Sequence, residues 1–160
     1  MLSVGLRGMR MEIDNHKVID ATAETTFGLL MDPAVLVEAM PGLKRMTPEG
    51  DNIFHVEMEL GIPGFKGKYA GTMQIDQIKA PVFYHLHLSG NGPAGTIEMD
   101  LRITLTASGN GQQTDLHYEG EGQFGSPSSG VAQKVLSGAS SVILGQFFSE
   151  ISKRAHKIDG

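Results

Sequence analysis

The chain has 160 residues, a formal net charge of -5, no cysteine, and no run of about 18 apolar residues. These features exclude disulfide scaffolds, thiolate metal sites, cysteine nucleophiles and a membrane-spanning helix within it, and provide no basic footprint for nucleic acid. The length suits one domain around one core, and 21 glycines with nine methionines, against three tyrosines and no tryptophan, are the unusual counts.

Residues 1–10 are expected to form a disordered tail, followed by a single domain over residues 11–158. A first strand over Arg10 to Ile19 would place Met11, Ile13 and Asn15 on one face. Thr22 then caps a short helix with Glu24 in its first turn and Phe27, Leu30 and Met31 on its apolar face. Asp32-Pro33 stops that helix and starts another, because Asp caps well and Pro suits the first helical position. Leu36, Val37 and Met40 form the second apolar face, and Pro41-Gly42 turns the chain.

From Lys44 to Phe124 the apolar spacing is two. Phe54, Val56, Met58 and Leu60 alternate with His55, Glu57 and Glu59. Phe65, Gly67, Tyr69, Gly71, Met73 and Ile75 alternate with lysines and polar residues, and Val82, Tyr84, Leu86 and Leu88 alternate with His85 and His87. Ile97 to Leu105 and Leu116 to Phe124 repeat the pattern. Turn signals at Glu49 to Asn52, Ala80-Pro81, Asn91 to Pro93 and Ser108 to Gly111 mark an antiparallel meander with one wet face.

After the loop Gly125 to Gly130, Val131 to Lys157 reads as one long helix. Ala132, Leu136, Ala139, Ile143, Phe147, Ile151 and Ile158 form its stripe, with adjacent Phe147 and Phe148 expected on different faces. The expected fold is α+β: a curved antiparallel seven-stranded sheet gripping a long C-terminal helix, with two short helices after strand 1. Inward glycines Gly67, Gly71, Gly120 and Gly122 either permit bending of the sheet or leave space for an internal cavity. On the cavity reading, Gly120→Leu fills the space without unfolding the chain.

Several segments together carry a resemblance. These are Met11-Glu-Ile, Ala21 to Phe27, Met31-Asp-Pro-Ala-Val-Leu, Met40-Pro-Gly-Leu, Gly64-Phe-Lys-Gly-Lys-Tyr and Leu144-Gly-Gln-Phe-Phe. With this spacing the chain resembles CoxG, a family of carbon monoxide dehydrogenase subunits within the START/Bet v 1-like (SRPBCC) superfamily. The resemblance implies a helix-grip fold with a hydrophobic cavity, and an accessory or membrane-recruitment role for a molybdenum-hydroxylase-type dehydrogenase. It implies no catalysis.

The expected ligand is a small hydrophobic or amphipathic molecule, such as a lipid, held between sheet and helix. Sheet contacts are assigned to Phe54, Met58, Tyr69, Met73, Leu86, Met99, Tyr118, Gly120, Gly122 and Phe124. Helix contacts are assigned to Leu136, Ser140 and Ile143, and the entrance to Pro41, Gly42, Gly61 and Gly64. The alternative is a polyketide cyclase/dehydratase-like enzyme using Tyr69, Tyr84 and Tyr118, although no inward histidine or carboxylate is expected to act as a base.

No cofactor and no metal is expected. His55, His85, His87 and His117 face outward and read as solvated, with no carboxylate at a recognised ligand spacing. Ser126, Ser128, Ser129 and Ser137 form no assignable triad, and the Gly61 to Gly67 segment matches no phosphate-binding fingerprint. Lys153, Arg154 and Lys157 complement the helix dipole, with peripheral contact to an anionic leaflet as the competing role. The expected location is the cytoplasm, at the inner face of the membrane if a partner draws the protein there.

Overall fold

The computed structural model describes residues 9–61, 66–93, 95–125 and 130–159. Residues 1–8 of the expected tail and the entrance residue Gly64 lie outside them, as do the side chains of Phe124, Leu136 and Ser140, whereas Met9 and Arg10, expected in the tail, belong to the first strand because they pair with Phe124 and Gln123. The chain begins with strand β1 (Met9–Ile19), followed by helices α1 (Ala23–Leu30) and α2 (Pro33–Ala39). Six strands follow: β2 (Leu43–Gly50), β3 (Ile53–Leu60), β4 (Gly67–Lys79), β5 (Phe83–Gly92), β6 (Gly95–Ser108) and β7 (Gln113–Phe124). Helix α3 (Gly130–Asp159) ends the chain.

The strands form one antiparallel sheet in the order β1-β7-β6-β5-β4-β3-β2. Only β1 departs from the meander, crossing to pair with β7. Pro48 sits in β2, an edge strand where a missing N–H is tolerated.

Capping follows the sequence. Thr22 Oγ1 accepts from the Thr25 amide at 3.2 Å, and Asp32 Oδ1 accepts from the Ala34 amide at 3.0 Å, with Pro33 at the first position of α2. These caps set the starts of two short helices within residues 23–39 and fold them over one end of the sheet.

Leu144, Phe147, Phe148, Ile151 and Ala155 of α3 are buried against Ile19, Phe27, Leu30, Leu101, Ile103 and Leu116. Phe147 and Phe148 are only 5% and 2% exposed, so both are in the core. Their expected separation onto different faces fails because a curved sheet wraps more than the narrow arc of a helix lying on a flat surface. Ile158, expected in the stripe, is 63% exposed, since it lies beyond the sheet's reach. Val82 is exposed in the turn before β5, where its amide donates to the Lys79 carbonyl at 2.7 Å, and Asn15 is exposed on the edge strand.

The C-terminal part of α3 is tied down by polar contacts. Asp159 accepts from the Thr22 amide at 2.7 Å and from the Thr25 hydroxyl at 2.6 Å, placing a carboxylate at the positive end of α1. Arg154 donates to Glu38 on α2 at 2.8 Å and to Glu150 at 3.0 Å, while Lys17 donates to Ser149 at 3.0 Å. Arg154 is therefore engaged within the fold rather than presented to a lipid surface.

Candidate functional site

The strand register arranges the inward side chains in rows across the sheet. One row runs Phe54, Met73, Leu88, Met99, Gly122, Met11. The next contains Ile75, Leu86, Leu101, Gly120 and Ile13, and the one beyond it Tyr84, Ile103 and Tyr118. Between these rows and α3 lies an apolar cavity of about 40 Å³. Its floor is Met73, Ile75, Tyr84, Leu86, Leu101 and Ile103, its roof Leu144, Phe147 and Phe148, and one side is closed by Leu30, Leu36, Met40 and Leu43.

Among the expected contact residues, Met73 and Leu86 line this cavity. Phe54, Met58 and Met99 are half-buried and pack against the same core, extending its apolar floor along neighbouring rows. Tyr118 is buried with its ring stacked on Phe148 at 4.5 Å, and Ile143 is half-buried one residue before the roof residue Leu144. Tyr69 is buried at the far end of β4, where a Cβ at Gly92 would overlap its ring.

The inward glycines divide into two kinds. A Cβ at Gly120 would overlap the carbonyl oxygen of Asp100, and one at Gly71 would overlap that of Ser89. These glycines permit close approach of neighbouring backbones, so Gly120→Leu cannot act as a simple cavity filler: it would force β6 and β7 apart. At Gly122 the closest atom to an added Cβ is Met11 Cε at 2.9 Å, the mobile end of a flexible side chain.

At the expected entrance, Gly42 adopts φ of 87°, a left-handed conformation that suits glycine. Its carbonyl accepts from the Glu59 amide at 2.8 Å, bringing Pro41-Gly42 beside the end of β3, where Gly61 is exposed.

Tyr84 supplies the hydroxyl in the cavity lining. Its ring packs edge-on against Phe27 at 5.7 Å. Burial pushes its pKa far above the ordinary tyrosine value, so the group stays protonated and can donate a hydrogen bond. Burial raises the Tyr118 hydroxyl as well. Among the described residues, the cavity lining contains no histidine, carboxylate, lysine or arginine.

The other sheet residues of the cavity, Ile75, Tyr84, Leu101 and Ile103, were visible in the sequence as inward positions, whereas Leu144 and Phe148 lay outside the expected helix stripe. Which of the sheet residues would meet α3 was not visible, because that depends on the height at which the helix crosses the rows.

The outward histidines are less solitary than the sequence suggested. His85 Nδ1 lies 2.7 Å from Asp76 and its Nε2 3.1 Å from Asp100, while His87 Nδ1 lies 2.8 Å from the same Asp100 oxygen. His117 contacts Asp14 at 2.7 Å and His16 contacts Asp115 at 3.0 Å. The reading of these histidines as simply solvated is corrected: strand pairing supplies carboxylate partners up to 103 residues away in sequence, at no ligand spacing the sequence could show.

The family model of CoxG, described as a carbon monoxide dehydrogenase subunit, matches residues 16–156. The chain belongs to this family. No curated protein matches it at a significant level.

Among solved structures, a conserved protein from Geobacillus kaustophilus is 26% identical, with a TM-score of 0.86 over 92% of this chain and 96% of that one. A START superfamily protein from Mycobacterium smegmatis is 12% identical, with a TM-score of 0.70 over 92% and 98% of the two chains. The Zhui aromatase/cyclase from Streptomyces sp. R1128 is also 12% identical, with a TM-score of 0.69 over 92% and 94%. The last two establish the shared START-like fold of this CoxG-family chain. No helix among its described residues is long and apolar enough to cross a membrane.

Proposed function

We propose that this CoxG-family chain binds a small hydrophobic or amphipathic molecule between its sheet and α3, as an accessory or membrane-recruitment component of a molybdenum-hydroxylase-type dehydrogenase. The observation that carries the ligand reading is the apolar cavity, enclosed by sheet, short helices and α3, with Tyr84 as its polar feature. Family membership supports the partner.

Sites for drug-sized ligands occupy roughly 300–1,000 Å³, so a cavity of about 40 Å³ is a closed form that must expand on uptake. The half-buried Phe54, Met58, Leu88 and Met99 provide apolar surface for that expansion. Methionines adapt well to such a change because their unbranched side chains repack with little strain.

An aromatase/cyclase of the same fold raises a second reading, in which the cavity performs proton transfer. That chemistry needs a base beside the substrate. A phenol held protonated by burial can orient a carbonyl, but it does not take up a proton at neutral pH. Ligand orientation is the better use of Tyr84.

The test is native mass spectrometry of freshly purified chain, followed by solvent extraction of any adduct. A one-to-one lipophilic adduct is expected. A bare chain mass, with melting unchanged by a panel of lipids and aromatic metabolites, would overturn the ligand reading.

A further inference from the structure

The outer face of the β1 and β7 pair carries a compact set of metal-ligating side chains. Asp14, His16 and His117 each place one donor atom within 4.8 Å of the others. Asp14 and His16 are two residues apart on β1 and share a face, while the register sets His117 directly opposite His16. The two imidazoles lie nearly parallel, with centroids 4.3 Å apart and planes 8° apart. We propose that Asp14, His16 and His117 form a surface site for a late first-row divalent cation, Zn²⁺ above all.

The donor chemistry selects this class. Two imidazoles and one carboxylate suit Zn²⁺, Ni²⁺ or Cu²⁺, whereas Mg²⁺ and Ca²⁺ favour all-oxygen shells. Zinc bonds of about 2.0–2.2 Å in a tetrahedron hold donors roughly 3.4 Å apart. Donors already within 4.8 Å reach that spacing by side-chain rotation, with no change in the strands.

Orientation supports the site too. The Asp115 carboxylate lies 3.0 Å from His16 Nδ1 and can accept its proton, leaving Nε2 as the coordinating atom. A carboxylate holding the far nitrogen of a histidine is the usual support of a metal-bound imidazole. Three protein donors leave the fourth position to water.

The neighbouring histidine cluster lacks this capacity. His85 has one ring nitrogen facing Asp76 and the other facing Asp100, so neither nitrogen is left to coordinate an ion. The two clusters share composition and sheet face, and differ in convergence: among the described residues, Asp14, His16 and His117 are the group whose donors all lie within 4.8 Å of one another. The ion would clasp edge strand β1 to β7 independently of the cavity on the opposite face.

The experiment is isothermal titration of the full chain with Zn²⁺, and separately with Mg²⁺, alongside H16Q, H117Q and H87Q. All three positions lie on the outer face, and glutamine retains hydrogen-bonding ability there; circular dichroism verifies that each variant is folded. The proposal requires one-to-one Zn²⁺ binding without Mg²⁺ binding, weakened at least about tenfold in H16Q and in H117Q and unchanged in H87Q. Zn²⁺ should also raise the melting temperature of the parent chain more than that of H117Q. Failure of the parent chain to bind Zn²⁺, or equal binding by H16Q and H117Q, would overturn it. D14N provides the same reading if either histidine variant fails to fold.

Discussion

The two faces of the sheet are built from the same alternation and held by different forces. On the inner face, apolar rows meet α3 and the short helices, so each residue gains from leaving water whatever its exact neighbour. On the outer face, His85, His87, Arg102 and His117 each meet a particular carboxylate on an adjacent strand. The inner face therefore tolerates exchange of one apolar shape for another, while the outer face depends on register. A slip of one residue would exchange the faces and break both sets of interactions.

The sharpest way to break the comparison is through the backbone that both faces share. Gly120→Ala should cost roughly 3 kcal/mol or more, because the added Cβ collides with the Asp100 carbonyl, whereas Gly122→Ala should stay within about 1 kcal/mol. Urea unfolding of both variants tests this, and equal losses would show that strand approach does not govern the inward glycines. Next in size, Leu101→Ala or Phe148→Ala should cost roughly 2 to 5 kcal/mol, since both side chains are 2% exposed at the cavity wall.

A smaller effect is expected at Tyr84. Removing the hydroxyl in Tyr84→Phe should change stability by less than about 1 kcal/mol, yet weaken an extracted ligand that carries a carbonyl by roughly threefold to tenfold. Equal affinity would remove the orienting role. On the outer face, Arg102 donates to Glu119 through two nitrogens, at 2.7 and 3.0 Å. A double-mutant cycle on this solvent-accessible pair should give only a small coupling that diminishes in high salt.

The smallest expected effect is a contribution to acid sensitivity. At Asp100, burial acts to raise the carboxyl pKa, but hydrogen bonds and charge from His87 and then His85 outweigh it and hold the group below the ordinary aspartate value. Asp159 is lowered mainly by its hydrogen bond from Thr25, then by the Thr22 amide. A carboxyl depressed in the folded state stabilises fully above its unfolded pKa of about 3.9, and that contribution is lost as pH falls through the lower folded value. Acid unfolding of Asp100→Asn and Asp159→Ala should therefore show a shallower loss of stability below about pH 4 than the parent chain. Identical curves would detach these contacts from the acid response.

Local sequence signals made most of the fold legible. Thr22 and Asp32-Pro33 specify the short helices, and period-two alternation from Phe54 to Phe124 specifies the strands and their inward faces. The extent of the cavity was less legible. Leu101 and Ile103 were legible as inward strand positions, and Leu144 and Phe148 as apolar residues alone; their meeting depends on how far the sheet curves around α3. The meaning of Gly120 was hidden because the atom it must avoid belongs to residue 100 on another strand. The Asp14, His16 and His117 grouping was equally hidden, because β1 crosses the whole meander to pair with β7.

Among the described residues, the ties from Ser149 to Lys17, Arg154 to Glu38 and Asp159 to Thr22 fall toward the C-terminal end of α3. A rod pinned at one end moves as a lever. Over about 45 Å of helix, at 1.5 Å per residue, a tilt of about 5° sweeps the opposite end through roughly 4 Å. A rotation of that size about the tied end would displace the first turns of α3 relative to the sheet while leaving Ile151 and Ala155 seated. Access to the interior would then require no melting of secondary structure.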